Sequence, residues 1–203
     1  VLDALTLAAV DAGVDRATFL GRADTFVHGT TRAINAILTG ATARTAFLTT
    51  IGHPDILVIR EGGRTEPFNF TVPYPEPYVP RALTFEVPER IASTGAVVRP
   101  LDEAAVVEIA GRLREQQIEA VAVCLLWSVA NPVHERRVGE LLALHLPGVP
   151  VTLSHELNPG LREYRRASSA CIDASLKPLM HDYLSRLEAR LREAGLSGRL
   201  LMV

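Results

Sequence analysis

The most constraining stretch of the chain is Ile118 to Trp127. Within it, Ala120-Val121-Ala122-Val123-Cys124-Leu125-Leu126 presents apolar side chains without a break. An extended chain turns successive side chains to opposite faces, so such a strand must be covered on both. Helices on both faces of a parallel sheet provide that cover, which makes α/β the expected class. The flanking sequence supplies them. Asp102 reads as the N-cap of a helix whose Val106, Ile109, Ala110 and Leu113 share one face. Asn131-Pro132 opens a second helix through Val138, Leu141 and Leu142, and Val151-Thr152-Leu153-Ser154 reads as the next strand. The result is one βαβ unit with a right-handed crossover.

The first third repeats the alternation. A helix runs to about Ala12 and stops at Gly13, a glycine able to take positive φ. Thr25-Phe26-Val27-His28 is a short strand broken by Gly29, and Thr30 or Thr31 caps a helix that ends at Gly40. Thr45 to Thr50 is the next strand. Pro54 suits the first position of a helix through Ile56, Leu57 and Ile59.

Residues 61–100 differ. Glu61-Gly62-Gly63-Arg64 reads as a loop, and Pro67, Pro73, Pro75, Pro77, Pro80 and Pro88 exclude a continuous helix. Phe68, Phe70, Tyr74 and Tyr78 lie in this proline-rich arm, either packed on the surface or covering a cleft or an oligomer contact. Thr84–Val87 and Glu89–Ile91 read as edge strands. From Leu161 a long helical region is expected, interrupted at Pro178, with Met180, Leu184, Leu187 and Leu191 buried in its second half. Gly198 to Val203 reads as a strand in need of a neighbour. With Val1 first and helical spacing already under way, both ends read as truncated.

Composition excludes several classes. A net charge of −2 gives no electrostatic reason to expect nucleic acid or an anionic membrane. No apolar run approaches the roughly 18 residues of a membrane span. Cys124 and Cys171 form no metal or redox motif, and a reducing, cytoplasmic setting is expected. Lys177 is the only lysine, so 20 of 21 basic residues are arginine. His134 and His145 read as surface residues of a helix.

Two places carry the residues for chemistry. At His28-Gly29-Thr30-Thr31-Arg32-Ala33-Ile34-Asn35 a strand ends, a glycine permits a close turn and two threonines open a helix. Free amides, hydroxyls and a helix N-terminus then converge where a phosphate or carboxylate fits, although paired threonines also serve as simple caps. At Ser154-His155-Glu156 a strand ends again, where open parallel sheets place ligands. His155 and Glu156 there are either a base with its partner or a loop paired to the arginines of Arg162-Glu163-Tyr164-Arg165-Arg166. Asp55, near the start of a helix, either complements the helix dipole or acts in catalysis. No metal-binding motif is present.

Phe26-Val27-His28-Gly29-Thr30-Thr31, Asn35-Ala36, Ala43 to Thr50 and Gly52 resemble the N-terminal region of the hydantoinase A/5-oxoprolinase family. The resemblance continues through Arg60, Val87-Pro88-Glu89-Arg90-Ile91, Pro100-Leu101-Asp102, Asn131-Pro132 with His134-Glu135, and Ser154-His155-Glu156 with Glu163-Tyr164. It implies mixed sheets with flanking helices, part of an actin-like ATPase (ribonuclease H-like) fold. Residues 1–60 would be a partial ATPase subdomain, 61–100 the proline-rich arm or edge strands, 101–160 the βαβ-containing part, and 161–203 the start of the following hydantoinase A domain.

The family uses ATP to activate a cyclic amide or a ketone. The resemblance implies ATP and Mg²⁺ in the intact protein, with neither bound to this fragment alone. It implies His28, Glu156 and Asp55 as catalytic residues and Gly29, Thr30, Thr31, Asn35 and Arg60 as nucleotide- or substrate-binding ones. The partners implied are a small cyclic amide and either the rest of the chain or a hydantoinase B-type subunit. Exposed strand edges also leave self-association open. A carboxylase subunit and a non-catalytic assembly piece stand as alternatives. Gly52-His53-Pro54-Asp55 replaces the family's Gly-Phe-Arg-Asp, and Glu163-Tyr164-Arg165-Arg166 its Glu-Tyr-Glu-Arg, so substrate preference does not carry over.

Overall fold

The structure is a computed structural model that describes residues 1–62, 66 and 68–203. The expected loop residues Gly63 and Arg64 and the proline at Pro67 lie outside the described residues. In chain order the elements are α1 (Leu2–Asp11), α2 (Arg16–Gly21), β1 (Thr25–His28), α3 (Arg32–Thr39), β2 (Thr45–Thr50) and α4 (Ile56–Ile59). Then follow β3 (Thr84–Val87), β4 (Arg90–Ile91), β5 (Val97–Arg99), α5 (Glu103–Glu115) and β6 (Ala120–Cys124). The last are α6 (Val133–His145), β7 (Val151–Leu153), α7 (Ser154–Leu157), α8 (Glu163–Glu193) and β8 (Arg199–Met202). Contacts divide the chain into two compact units: residues 42–178, and residues 1–41 with 179–203. None of the described helices is long and apolar enough to cross a membrane.

The larger unit is built on a parallel sheet of order β3-β2-β6-β7. The central strands β2 and β6 are buried along their whole length, as the apolar run requires. One face carries Leu48, Phe85, Val121 and Val123 against Val106, Leu113, Val138 and Leu142 of α5 and α6. The other carries Phe47, Ala120, Ala122 and Cys124 against Ala167, Ala170, Cys171 and Ala174 of α8. Small side chains on both partners let that helix lie close to the sheet. Asp102 caps α5 as expected, accepting the amide of Ala105 at 3.0 Å. On the edge strand β7, the Val151 carbonyl accepts from Lys177 Nζ at 3.2 Å, and that ammonium also reaches Thr152 Oγ1 at 2.7 Å.

β3 is an edge strand of this sheet, as expected. The segment at Glu89–Ile91 lies outside this sheet: β4 pairs antiparallel with β5 in a separate two-stranded ribbon, turned through Gly95 at φ +83°, in which it too is an edge. Pro54 does not open a helix. The chain turns at Ile51–Gly52 (Gly52 φ +85°), closed by the His53 amide on the Thr50 carbonyl; Pro54 and Asp55 form a separate turn, and the short α4 begins at Ile56 with Asp55 as N-cap. In the arm, Val79 is buried and Tyr78 Oη bonds Ser175 Oγ at 2.7 Å, whereas Phe68 and Phe70 are exposed.

The expected break at Pro178 does not occur, because α8 continues through it. A proline costs a helix one amide bond and introduces a clash. Here buried residues on both flanks, Ala167 to Ala174 before it and Leu187 and Leu191 after it, hold the helical path. Met180 and Leu184 are only half-buried.

In the smaller unit β1 and β8 form a parallel pair, Thr25 opposite Arg199 through His28 opposite Met202. The terminal strand's neighbour is thus β1. Gly198 is required at this junction, since a Cβ there would lie 2.1 Å from the Ala23 carbonyl oxygen. Leu20, Leu187, Leu191 and Leu196 form the core of the unit. Its second helix, α2, was not expected; Asp15 caps it through the amide of Thr18 at 3.0 Å.

Candidate functional site

β1 ends at His28, and α3 starts after Thr31, its N-cap. Thr31 makes no side-chain cap bond. Instead Thr30 Oγ1 accepts from the Arg32 amide at 3.2 Å, and Thr31 Oγ1 accepts from Asn35 Nδ2 at 3.3 Å. Among the described residues, no group accepts from the amides of Gly29, Thr30 or Thr31. Thr30, Thr31, Arg32, Asn35, Thr39 and Tyr183 line a cavity of about 390 Å³. This is the expected convergence of hydroxyls, amides and a helix N-terminus on open space.

His28 does not line that cavity. Its Nε2 is 2.6 Å from Tyr183 Oη, and the Arg32 guanidinium sits over the Tyr183 ring at 5.1 Å from its centroid. Among the described residues Arg32 has no carboxylate partner. The cavity lining carries a cation, hydroxyls and an amide but no carboxylate. That donor set fits a phosphate or carboxylate group; it does not fit direct side-chain coordination of Mg²⁺, which prefers carboxylate oxygens.

The larger unit gathers buried polar groups at the carboxyl ends of β2, β6 and β7. Glu135 has no exposed surface and accepts from the Leu125 amide at 2.7 Å, the His155 amide at 2.9 Å, Ser154 Oγ at 3.0 Å and His155 Nδ1 at 2.8 Å. Burial by itself would push the Glu135 carboxyl up, but the His155 side chain and the two amides outweigh it and hold it below the usual glutamate range. The donated Nδ1–H leaves His155 Nε2 buried without a partner among the described residues, 3.8 Å from Glu156 Oε1. Arg166, fully buried, donates to the carbonyls of Leu125 at 2.9 Å and Gly160 at 3.0 Å. Cys124 lies beneath this cluster, its thiol pushed up to about 12 by burial and then by the Glu135 charge.

Beside it stands a second carboxylate–imidazole pair. Glu89, also fully buried, accepts from His134 Nδ1 at 2.8 Å and from Thr50 Oγ1, and Thr50 accepts the Leu126 amide at 3.0 Å. His134 is therefore a buried residue rather than a surface one, because its ring turns inward to the buried Glu89 carboxyl group. His145 is half-buried, and its carbonyl accepts from Arg114.

His28, Gly29, Thr30, Thr31 and Asn35 come together in the smaller unit, whereas Asp55, Arg60 and Glu156 belong to the larger one. Asp55 pairs with Arg81 at 2.8 Å, both half exposed. Arg60 has φ +59° and donates to the Glu76 carbonyl at 3.2 Å. The carboxylate of Glu156 is exposed. Tyr183, Glu89, His134 and Glu135 were not among the expected site residues. For His134 and Glu135 the signal was available: they share the helical face of Val138, Leu141 and Leu142.

Comparison with known proteins places the chain. Residues 1–146 match the description of the hydantoinase/oxoprolinase N-terminal region. Caprolactamase subunit alpha of Pseudomonas jessenii is 38% identical over 181 residues, 88% of this chain and 26% of that protein. The acetophenone carboxylase gamma subunit of Aromatoleum aromaticum is 36% identical over 97% of this chain and 29% of its own length. The crystal structure of the ATP-dependent caprolactamase from Pseudomonas jessenii superposes with a TM-score of 0.90 at 36% identity, over 98% of this chain and 29% of that one. The chain thus spans less than a third of the length of these relatives. With the family region covering more than two thirds of its residues and the fold shared throughout, the chain belongs to the hydantoinase/oxoprolinase family.

Proposed function

We propose that this chain is part of an ATP-dependent hydrolase that opens a cyclic amide. The observation that carries the reading is the turn at Gly29–Thr31, whose amides have no acceptor among the described residues and from which Thr30, Thr31 and Arg32, a cation with no carboxylate partner among those residues, line one cavity. Such a cradle suits the phosphates of a nucleotide or the carboxylate of a substrate. The kinship with an ATP-dependent caprolactamase supports a lactam as the substrate class.

In the proposed reaction the terminal phosphoryl group of ATP passes to the amide oxygen and ADP leaves. Water then adds to the activated carbon, the ring C–N bond breaks as the amine takes up a proton, and a second water cleaves the resulting acyl phosphate to carboxylate and phosphate. Thr30, Thr31, Arg32 and Asn35 hold the anion, while His28 positions Tyr183, on which Arg32 rests. Any Mg²⁺ would be held through the phosphates, since the lining offers it no carboxylate. In the larger unit, Glu156, the exposed carboxylate beside His155, is our candidate for proton transfer. Asp55 and Arg60, in the larger unit, are engaged with Arg81 and the Glu76 carbonyl and are our candidates for substrate contact there. The relatives are named as subunits, which supports a second subunit as partner.

The test is ATP turnover by the intact protein with caprolactam, hydantoin, 5-oxoproline and acetone. Stimulation by a cyclic amide, reduced by Thr31→Val with Arg32→Gln, is the expected result. No response to any cyclic amide overturns the reading, and a response to acetone alone moves it to ketone carboxylation.

A further inference from the structure

The Glu89–His134 pair opens on a cavity of its own. About 550 Å³ in volume, it is lined by His134 with Leu101, Val133, Arg136, Arg137 and Glu140 among others. The His134 side chain is 9% exposed, and its Nδ1 is committed to Glu89 at 2.8 Å. This contact to a fully buried carboxyl group locks the ring in orientation. Nε2 has no hydrogen-bond partner among the described residues, and His134 lines the cavity.

The other groups point to the charge of a ligand. Glu103 and Glu140 also line this space, but both are spent on Arg137, at 2.8 and 2.7 Å. Arg136 is exposed and has no carboxylate partner among the described residues, so it is the uncommitted charge at the cavity. Val133 donates its amide to Asn131 Oδ1 at 3.2 Å, whereas the amides of His134 and Glu135 have no acceptor among the described residues. These belong to the first turn of a 13-residue helix, its positive end.

We propose that this cavity is a second ligand site, in which the His134 imidazole and backbone amide and the Arg136 guanidinium hold a small oxyanion, a phosphate or a carboxylate group. Glu89 is the positioning residue: it turns the imidazole toward the cavity, and Thr50 holds Glu89 in turn. The site rests on the larger unit alone and stands or falls independently of the ring-opening reaction.

The experiment is a titration of the chain with inorganic phosphate and, separately, with acetate, at constant ionic strength set by chloride. The His134 ring carbon-bound proton is followed by NMR and assigned by its loss in His134→Gln. A saturable shift of that resonance is expected, with Arg136→Gln raising the apparent Kd about tenfold, the scale of one charge-assisted hydrogen bond. Tighter saturation by phosphate identifies a phosphoryl ligand, and tighter saturation by acetate a carboxylate one. If neither anion moves the resonance saturably, or if Arg136→Gln saturates as the parent chain does, the site is overturned. Arg136 is exposed, so its replacement tests the proposal even if His134→Gln fails to fold.

Discussion

Nδ1 of His155 lies 2.8 Å from Oε1 of Glu135, a carboxylate that no solvent reaches and that two backbone amides and the Ser154 hydroxyl also grip. The pair fastens the end of β7 to the start of α6 and, through the Leu125 amide, to the residue that follows β6. Replacing Glu135 by Ala strands these donors in the interior. The expected loss is about 3–5 kcal/mol, as for other buried pairs deprived of one partner. Urea unfolding measures it, and a midpoint within error of the parent's would show that the carboxylate holds nothing together.

The same carboxylate sets an acid limit. Its folded pKa is depressed, so its stabilisation is fully present above the ordinary glutamate value, 4.5, and is lost as pH falls through the lower folded value. Stability measured by denaturant between pH 6 and pH 3 should fall, and Glu135→Gln should flatten that fall. A slope unchanged in the variant would assign the acid sensitivity to other carboxylates.

Gly198→Ala should separate β1 from β8. The added Cβ meets backbone atoms, the Ala23 carbonyl oxygen at 2.1 Å and the Asp24 carbonyl oxygen at 2.5 Å, neither of which can rotate away as a side chain does. Amide exchange at Thr25 to His28 should rise while that of β2 and β6 stays protected. Unchanged protection in β1 would contradict the described pairing.

Tyr183→Phe removes the hydroxyl bonded to His28 but keeps the ring beneath Arg32. A loss of about 1 kcal/mol is expected for the single hydrogen bond. Tyr183→Ala also forfeits the cation–π contact and should cost more. Thermal unfolding of the two variants separates the contributions, and equal losses would deny the stacking any role.

The cysteines should be silent in the folded chain. Burial holds the Cys124 thiol up at about 12 and raises that of Cys171 as well, so almost no thiolate exists at neutral pH. A disulfide-exchange reagent should find both thiols in urea and neither without it. Rapid reaction of the folded chain would mean that the sheet face beneath α8 opens readily.

What could be read from the sequence follows physical range. The apolar run of β6, the Asp102 cap and the glycine at the end of α3 declare themselves within a few residues, and each stands where expected. Partnerships made over long separations do not. Tyr183 is 155 positions from His28, and nothing local marks it as the hydroxyl that would meet that imidazole. β8 likewise carries no sign that β1 is its neighbour. Pro178 misled for a different reason: the local rule against proline is sound, but packing on either side of it prevailed. At His134 and Glu135 polarity concealed burial, although their spacing placed them on the inner face of α6. The Gly29–Thr31 turn was legible because the strand end, the glycine and the helix start that make it are adjacent in sequence.

Lys177 is the chain's only lysine, and its ammonium occupies the outward carbonyl of Val151. An unguarded sheet margin is an invitation to a foreign strand. Acylating this one amine would remove the charge beside the Val151 carbonyl, so the guard on this margin of β7 rests on the state of a single side chain. A lysine-poor chain therefore concentrates in one side chain a protection that most proteins spread over several.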